Sequence, residues 1–188
     1  MLREKQATTI RRVVTGHDGN GQSILVEDRA SPFVLAPNGA AGPVVTDLWK
    51  TFDTPANNSR VQEPCGEVRL APPERGTVFR MVQFPPDAQY MQDWNEQATF
   101  TAMGHTLAAH ESRKGTTAGM HKTRSVDYAI VLSGEIWAVM DSGETLLRAG
   151  DTLIQRGTNH GWSNRSDAPA MVAFILVDAL PLPEQAGA

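Results

Sequence analysis

The chain has 188 residues, ordinary apolar content, a formal net charge of −4 and one cysteine. That length suits one domain with a proper core and is short for two. No basic block stands out and residues 60–80 mix both signs, so no nucleic-acid footprint is expected.

Residues 1–9 read as a flexible arm ahead of a single domain over residues 10–180. The arm is charged and no apolar stretch follows it, which argues against a secretory leader. Arg11-Arg12-Val13-Val14-Thr15 and Ser23-Ile24-Leu25-Val26 flank a turn-rich stretch containing Asn20-Gly21, the strongest short signal for a β-hairpin. His17 sits in that turn region and reads as solvated. Residues 32–43 are loop, residues 44–50 a strand, and residues 51–76, with their prolines and small polar residues, a long ordered loop. Cys65 lies in this loop. A lone cysteine makes neither an intrachain disulfide nor a CxxC clamp, and a small turn residue is the plain reading beside a reactive thiol.

Residues 77–84 alternate cleanly as a half-buried strand, which Pro85-Pro86 stops. A short helix is expected over residues 88–98. Residues 103–119 are rich in Gly, Thr, Ser and charge, and His105 and His110 within them are exposed loop residues or a source of one further ligand. From residue 126 the pattern becomes dense β-structure: 127–133, 135–140, a turn at 141–144, then 145–148, 152–156, 160–164 and 171–177. Turn signals at that spacing indicate an all-β sandwich or barrel. No apolar run nears the roughly 20 residues that cross a bilayer, and residues 181–188 form a loose tail. A cytoplasmic protein with no membrane partner is the expectation.

Alternation assigns faces to the strands. Asp127, Ala129, Val131 and Ser133 share one face, small apart from Val131, which suits a wall bordering a cavity. Tyr128, Ile130 and Leu132 share the other, expected to pack in a core. His160, Trp162 and Asn164 share a face whose polar groups suit a lined pocket better than a dry core. Gln155 is a candidate pocket donor. Arg156 suits an anionic substrate or a rim salt bridge. Trp162 and Trp137 suit stacking on a planar ligand or ordinary packing.

These residues resemble the cupin family. Counting back from Gly134, Asp127 falls on the acidic position of that family's first motif, His121 on its first histidine and Thr123 on its second. Gly150, His160 and Asn164 match the second motif, with Arg156-Gly157-Thr158-Asn159 in place of its Pro-x-Gly turn. The likeness covers roughly residues 115–178. Asp127-Tyr128, Val131-Leu132-Ser133-Gly134-Glu135 and Gln155-Arg156-Gly157-Thr158 look like a subgroup of small single-domain cupins. The resemblance implies a double-stranded β-helix, or jelly-roll barrel, with an N-terminal β-hairpin and a long loop and short-helix insertion. It also implies a homodimer and a divalent metal (Fe, Mn, Zn or Ni) held by His121, Asp127 and His160. Two histidines and one carboxylate form the facial triad that suits Fe(II).

Two functions follow. In the first, a metal-dependent enzyme, with an oxygenase preferred, acts on a small carbonyl- or carboxylate-bearing molecule. Thr123, Gln155, Arg156, Trp162, Asn164 and Trp137 contact that substrate, and residues 85–119 close over the mouth. In the second, a metal-free cupin binds a small-molecule ligand without catalysis, and the threonine at the second histidine position favours it.

Overall fold

The computed structural model describes residues 9–37, 39, 42–59, 66–105 and 119–182. Cys65, His110 and most of both expected loose ends, residues 1–8 of the 1–9 arm and 183–188 of the 181–188 tail, lie outside that set. The expected hairpin forms from β1 (Arg11–His17) and β2 (Ser23–Ala30) as a sheet of its own. Short β3 (Val34–Leu35) leads to β4 (Val44–Thr51), and β5 (Thr77–Phe84) follows the long loop. Five further strands and a sixth complete the chain: β6 (Ser125–Ser133), β7 (Glu135–Met140), β8 (Glu144–Arg148), β9 (Thr152–Arg156), β10 (His160–Ser163) and β11 (Ala170–Asp178). All pairings are antiparallel.

A six-stranded sheet of order β3-β4-β5-β11-β6-β9 faces a three-stranded sheet of order β10-β7-β8. The core lies between them and draws on both, with Val78, Val131, Val172 and Ile136 fully buried. This is the all-β class expected from the turn spacing, in the jelly-roll form that the family resemblance implied. No helix among the described residues is long and apolar enough to cross a membrane.

Two local expectations need correction. The short helix α1 runs Glu96–Ala102, not over residues 88–98. Its start is fixed by Asn95, whose Oδ1 accepts from Ala98 N at 2.9 Å, an N-cap worth about 1 kcal/mol. The preceding residues are held differently. Asp87 opens a single 3-10 turn, and its carboxylate is tied to Ser163 Oγ at 2.6 Å and Asn164 N at 3.0 Å.

The second correction concerns β6. Its bulky face looks outward, with Tyr128 44% and Leu132 46% exposed, while Asp127, Ala129 and Val131 are buried. The small face is inside because the barrel is filled by the large residues of other strands, among them Phe84 and Phe174. Gly134 ends β6 at φ 73°, and a Cβ there would stand 2.7 Å from Pro169 O. Both the dihedral and the close approach demand glycine.

Candidate functional site

The two motif histidines are brought together by the backbone. His121 N donates to His160 O and His160 N to His121 O, each at 2.8 Å, an isolated antiparallel bridge that holds the loop before β6 against β10. Residues exchanging both hydrogen bonds lie directly opposite and share a face. Their rings are accordingly 4.4 Å apart, centroid to centroid. Gly161 permits the approach, since a Cβ there would lie 2.9 Å from Met120 Sδ.

Each ring is held the same way. His121 Nδ1 is 2.7 Å from Gly119 O, and His160 Nδ1 is 3.0 Å from Thr158 O. A carbonyl only accepts, so Nδ1 carries the hydrogen in both and the bare Nε2 is left for other work. Burial, the neighbouring imidazole and nearby His105 and Arg80 push His121 down to about 3, and burial pushes His160 down as well. Both rings are therefore neutral at pH 7.

They border a cavity of about 130 Å³ inside the barrel. Its apolar wall is largely aromatic. Phe100 lies 5.0 Å from His121 and Trp162 lies 6.1 Å from His160, with Phe174 a further 5.2 Å from Trp162. The polar side begins with Thr123 and Asp127, which alternation puts on one face with Ser125 between them. Thr123 Oγ1 and Ser125 Oγ are 2.7 Å apart, and Ser125 Oγ donates to Asp127 Oδ1 at 2.6 Å. Burial raises the Asp127 carboxyl, against the pull of Ser125, Arg80 and Thr123. Gln155 stands opposite Asp127 on β9, and its Nε2 donates to Thr158 O at 3.0 Å and to Thr158 Oγ1.

The cavity thus gathers His121, Thr123, Asp127, Gln155, His160 and Trp162 of the residues singled out in the sequence. Three others lie elsewhere. Arg156 is exposed, because inward Gln155 turns its neighbour outward. Trp137 sits between buried Ile136 and Ala138, faces away from the core, and carries the Arg165 guanidinium 4.7 Å above its ring. Asn164 lies beyond the end of β10, so alternation no longer applies. Its amide donates to Phe84 O and Ala168 O, both at 2.9 Å, and its Oδ1 accepts from Ser166.

Two residues that line or support the polar wall were not singled out. Ser125 was readable from the 123/125/127 alternation. Arg80 was readable as a cation between inward-facing Val78 and Val82 of β5.

The metal implied by the resemblance meets a partial donor set. Two imidazoles present bare Nε2 atoms side by side, and donation of the other ring N–H to a carbonyl is the usual arrangement of a ligating histidine. Among the described residues, however, no group of three or more His, Cys, Asp or Glu side chains is assembled to hold an ion. The Arg80 cation also acts on both His121 and Asp127. The side chains as they stand fit a pair of imidazoles rather than a closed triad.

Comparison with known proteins agrees with this architecture. Residues 110–177 match the Cupin_2 family model, a cupin domain. Phomopsin biosynthesis cluster protein D of Diaporthe leptostromiformis is 45% identical over 85 residues, covering 44% of this chain and 45% of that protein. The match therefore spans less than half the length of that relative. The cupin-domain-containing oxidoreductase virC of Hypocrea virens (strain Gv29-8 / FGSC 10586) is 26% identical over 185 residues, covering 91% of this chain and 77% of that protein. Among solved structures, an uncharacterized conserved protein with a double-stranded beta-helix domain from Klebsiella pneumoniae subsp. pneumoniae MGH 78578 gives a TM-score of 0.44 at 17% identity, over 78% of this chain and 84% of that one. With Asp127 on β6, His160 on β10 and His121 bridged to His160, and the family match running on through β11, residues 110–177 of this chain carry a cupin domain.

Proposed function

We propose that this chain is an enzyme of the oxidoreductase kind for which relatives such as virC are named, acting on a small organic molecule held in the barrel, with His121 and His160 at the reacting centre. One observation carries the reading: two neutral imidazoles, each locked by its own backbone carbonyl, present bare Nε2 atoms to an aromatic-walled cavity. Such a nitrogen is a ready proton acceptor for a substrate hydroxyl or an acidic C–H, and exclusion of water strengthens every polar contact it makes. The cavity volume is close to that of roughly 150 Å³ cavities that take one benzene ring. Thr123, Gln155 and Trp162 line it and position the substrate in this proposal, with Asp127 as the acid.

A second form of the proposal is favoured by the Nδ1 anchoring. In it His121 and His160 hold Fe, Mn, Zn or Ni with Asp127 as third ligand. Such an ion would supply Lewis-acid polarisation of a substrate carbonyl or carboxylate.

Elemental analysis of protein purified without chelator or affinity metal separates the two forms. Near-stoichiometric metal, lost in His121→Ala and in His160→Ala, carries the metal form. Metal-free protein whose tryptophan fluorescence is quenched by small aromatic ligands, with the quenching weakened in both variants, carries the metal-free form. If neither variant changes metal content or ligand response, the histidine-centred site is wrong.

We propose further that the chain forms a homodimer through the β1–β2 hairpin. The hairpin exposes Val13, Ile24, Leu25 and Val26. A two-stranded ribbon with apolar residues in water is marginal by itself.

A further inference from the structure

The barrel buries a charge cluster at one wall of the cavity. Asp47 on β4 is 0% exposed, and it faces Arg80 on β5 in register. Lys50, three residues further along β4 and past a shift of register between Asp47 and Trp49, is buried beside them. Asp47 Oδ1 lies 2.9 Å from Arg80 Nε, and Asp47 Oδ2 lies 3.1 Å from Lys50 Nζ. Two cations thus share the Asp47 carboxylate, so these three residues together carry one positive charge in excess, and Asp127 is the further carboxyl whose charge acts on Arg80.

That excess has a direction. Lys50 Nζ donates to Glu67 O as well as pairing with Asp47, and it does not line the cavity. Arg80 does line it, together with His121, Thr123 and Asp127. A guanidinium has five N–H donors in a planar fork. Nε faces Asp47, and Nη2 donates to Arg69 O and, at 3.4 Å, to Asp47 Oδ2. Nη1 makes a single long contact, 3.4 Å to Leu70 O. Of its two hydrogens, one is weakly used and the other has no protein acceptor among the described residues. Asp127 acts on Arg80 through its charge, but its hydrogen bond is with Ser125 and it makes none to the fork, so the Nη1 edge stays open. A buried cation in excess is costly unless an anion meets it, and here the open part of the fork belongs to a residue on the cavity wall.

We infer that Arg80 is the anchor for a carboxylate of the ligand, so that the cavity takes a small aromatic or similarly planar monoanion. The carboxylate meets the Nη1 edge of Arg80. The ring packs among Phe84, Phe100 and Trp162, and its substituents lie toward the two imidazoles. Arg80 is in this respect a specificity-determining residue, a role the exposed Arg156 does not fill. The inference rests on the reading that the cavity holds a small organic ligand.

Trp94 and Trp162 both line the cavity and report on its contents. Fluorescence titration with benzoate and with benzamide, near-isosteric probes that differ in charge, is carried out with and without EDTA so that binding to an ion is separated from binding to Arg80. Benzoate is expected to bind about tenfold tighter or more, since a hydrogen bond to a charged partner is involved, with EDTA making no difference. Arg80→Met abolishes the preference. This variant leaves Asp47 still paired with Lys50 and Asp127 still hydrogen-bonded to Ser125. Should it nevertheless fail to fold, the wild-type comparison stands alone. Equal affinities in wild-type protein overturn the anchor and leave the cavity reading intact. A benzoate preference that survives in folded Arg80→Met, or that EDTA removes, overturns the assignment to Arg80. Absence of any response to both probes overturns the anchor and the cavity reading together.

Discussion

Asn164 occupies the last position of the second cupin motif, yet its role is architectural. Its amide donates to Phe84 O at the end of β5 and to Ala168 O, while its Oδ1 gathers Ser166. It thereby ties the turn after β10 to the β5 end of the large sheet. Asn164→Ala strands buried carbonyls and is expected to cost about 2 kcal/mol, measured as a lower denaturant midpoint. Probe binding in the cavity should be unchanged at temperatures where the variant is folded. A loss of affinity without loss of stability would return Asn164 to the site. At the same scale, Thr123 at the second histidine position is not idle, because its hydroxyl continues the Ser125–Asp127 chain that orients the acid.

At the scale of elements, the hairpin and the barrel are separate sheets, joined where Arg12 Nη1 donates to Leu48 O at 3.1 Å and Ser31 Oγ to Asp47 O at 2.7 Å. These contacts hold the root of the ribbon and leave Leu25 on it 66% exposed. In a monomer, Leu25→Lys at so open a position changes stability by no more than about 0.5 kcal/mol. If the hairpin is the dimer contact, the same change raises the dissociation constant at least about tenfold by burying an ammonium in an apolar interface. Sedimentation equilibrium on both proteins decides it, and a dimer unaffected by the change would move the interface elsewhere. The strands themselves were legible from turn spacing and alternation, while α1 was not. Its start depends on the Asn95 cap and on Asp87 being held by Ser163 and Asn164, more than seventy residues away in the chain. Local propensity carries no information about that contact.

For the whole molecule, the buried neutral histidines couple folding to pH. His121 protonates at about 3 in the folded chain, against roughly 6.5 when unfolded. Between those values the unfolded chain binds a proton that the folded one refuses. Stability from this group is therefore complete above about 6.5 and is lost as pH falls toward 3. His160, also lowered, acts in the same direction. Asp127 is raised and acts oppositely: its contribution is present at low pH and lost as pH rises through its folded value. Urea midpoints between pH 7 and 4 should fall less steeply in His121→Gln than in wild type. An identical slope would mean that the ring already takes a proton in the folded state.

The sequence by itself determined the class of fold, the strands and the division of β6 into a small face with Asp127 and a bulky one, because these follow from alternation and turn chemistry. Only the tertiary structure decided what stands around them. Which face of β6 is interior depends on side chains supplied by other strands. That Thr123 leads through Ser125 to Asp127, and that Arg156, Trp137 and Asn164 turn away from the cavity, depends on where strands begin and end. That Arg80 meets Asp47 depends on the pairing of β4 with β5 across a long loop. Short-range pattern fixes the side of a strand on which a residue lies, but the partner across the barrel is set by register and packing between distant segments.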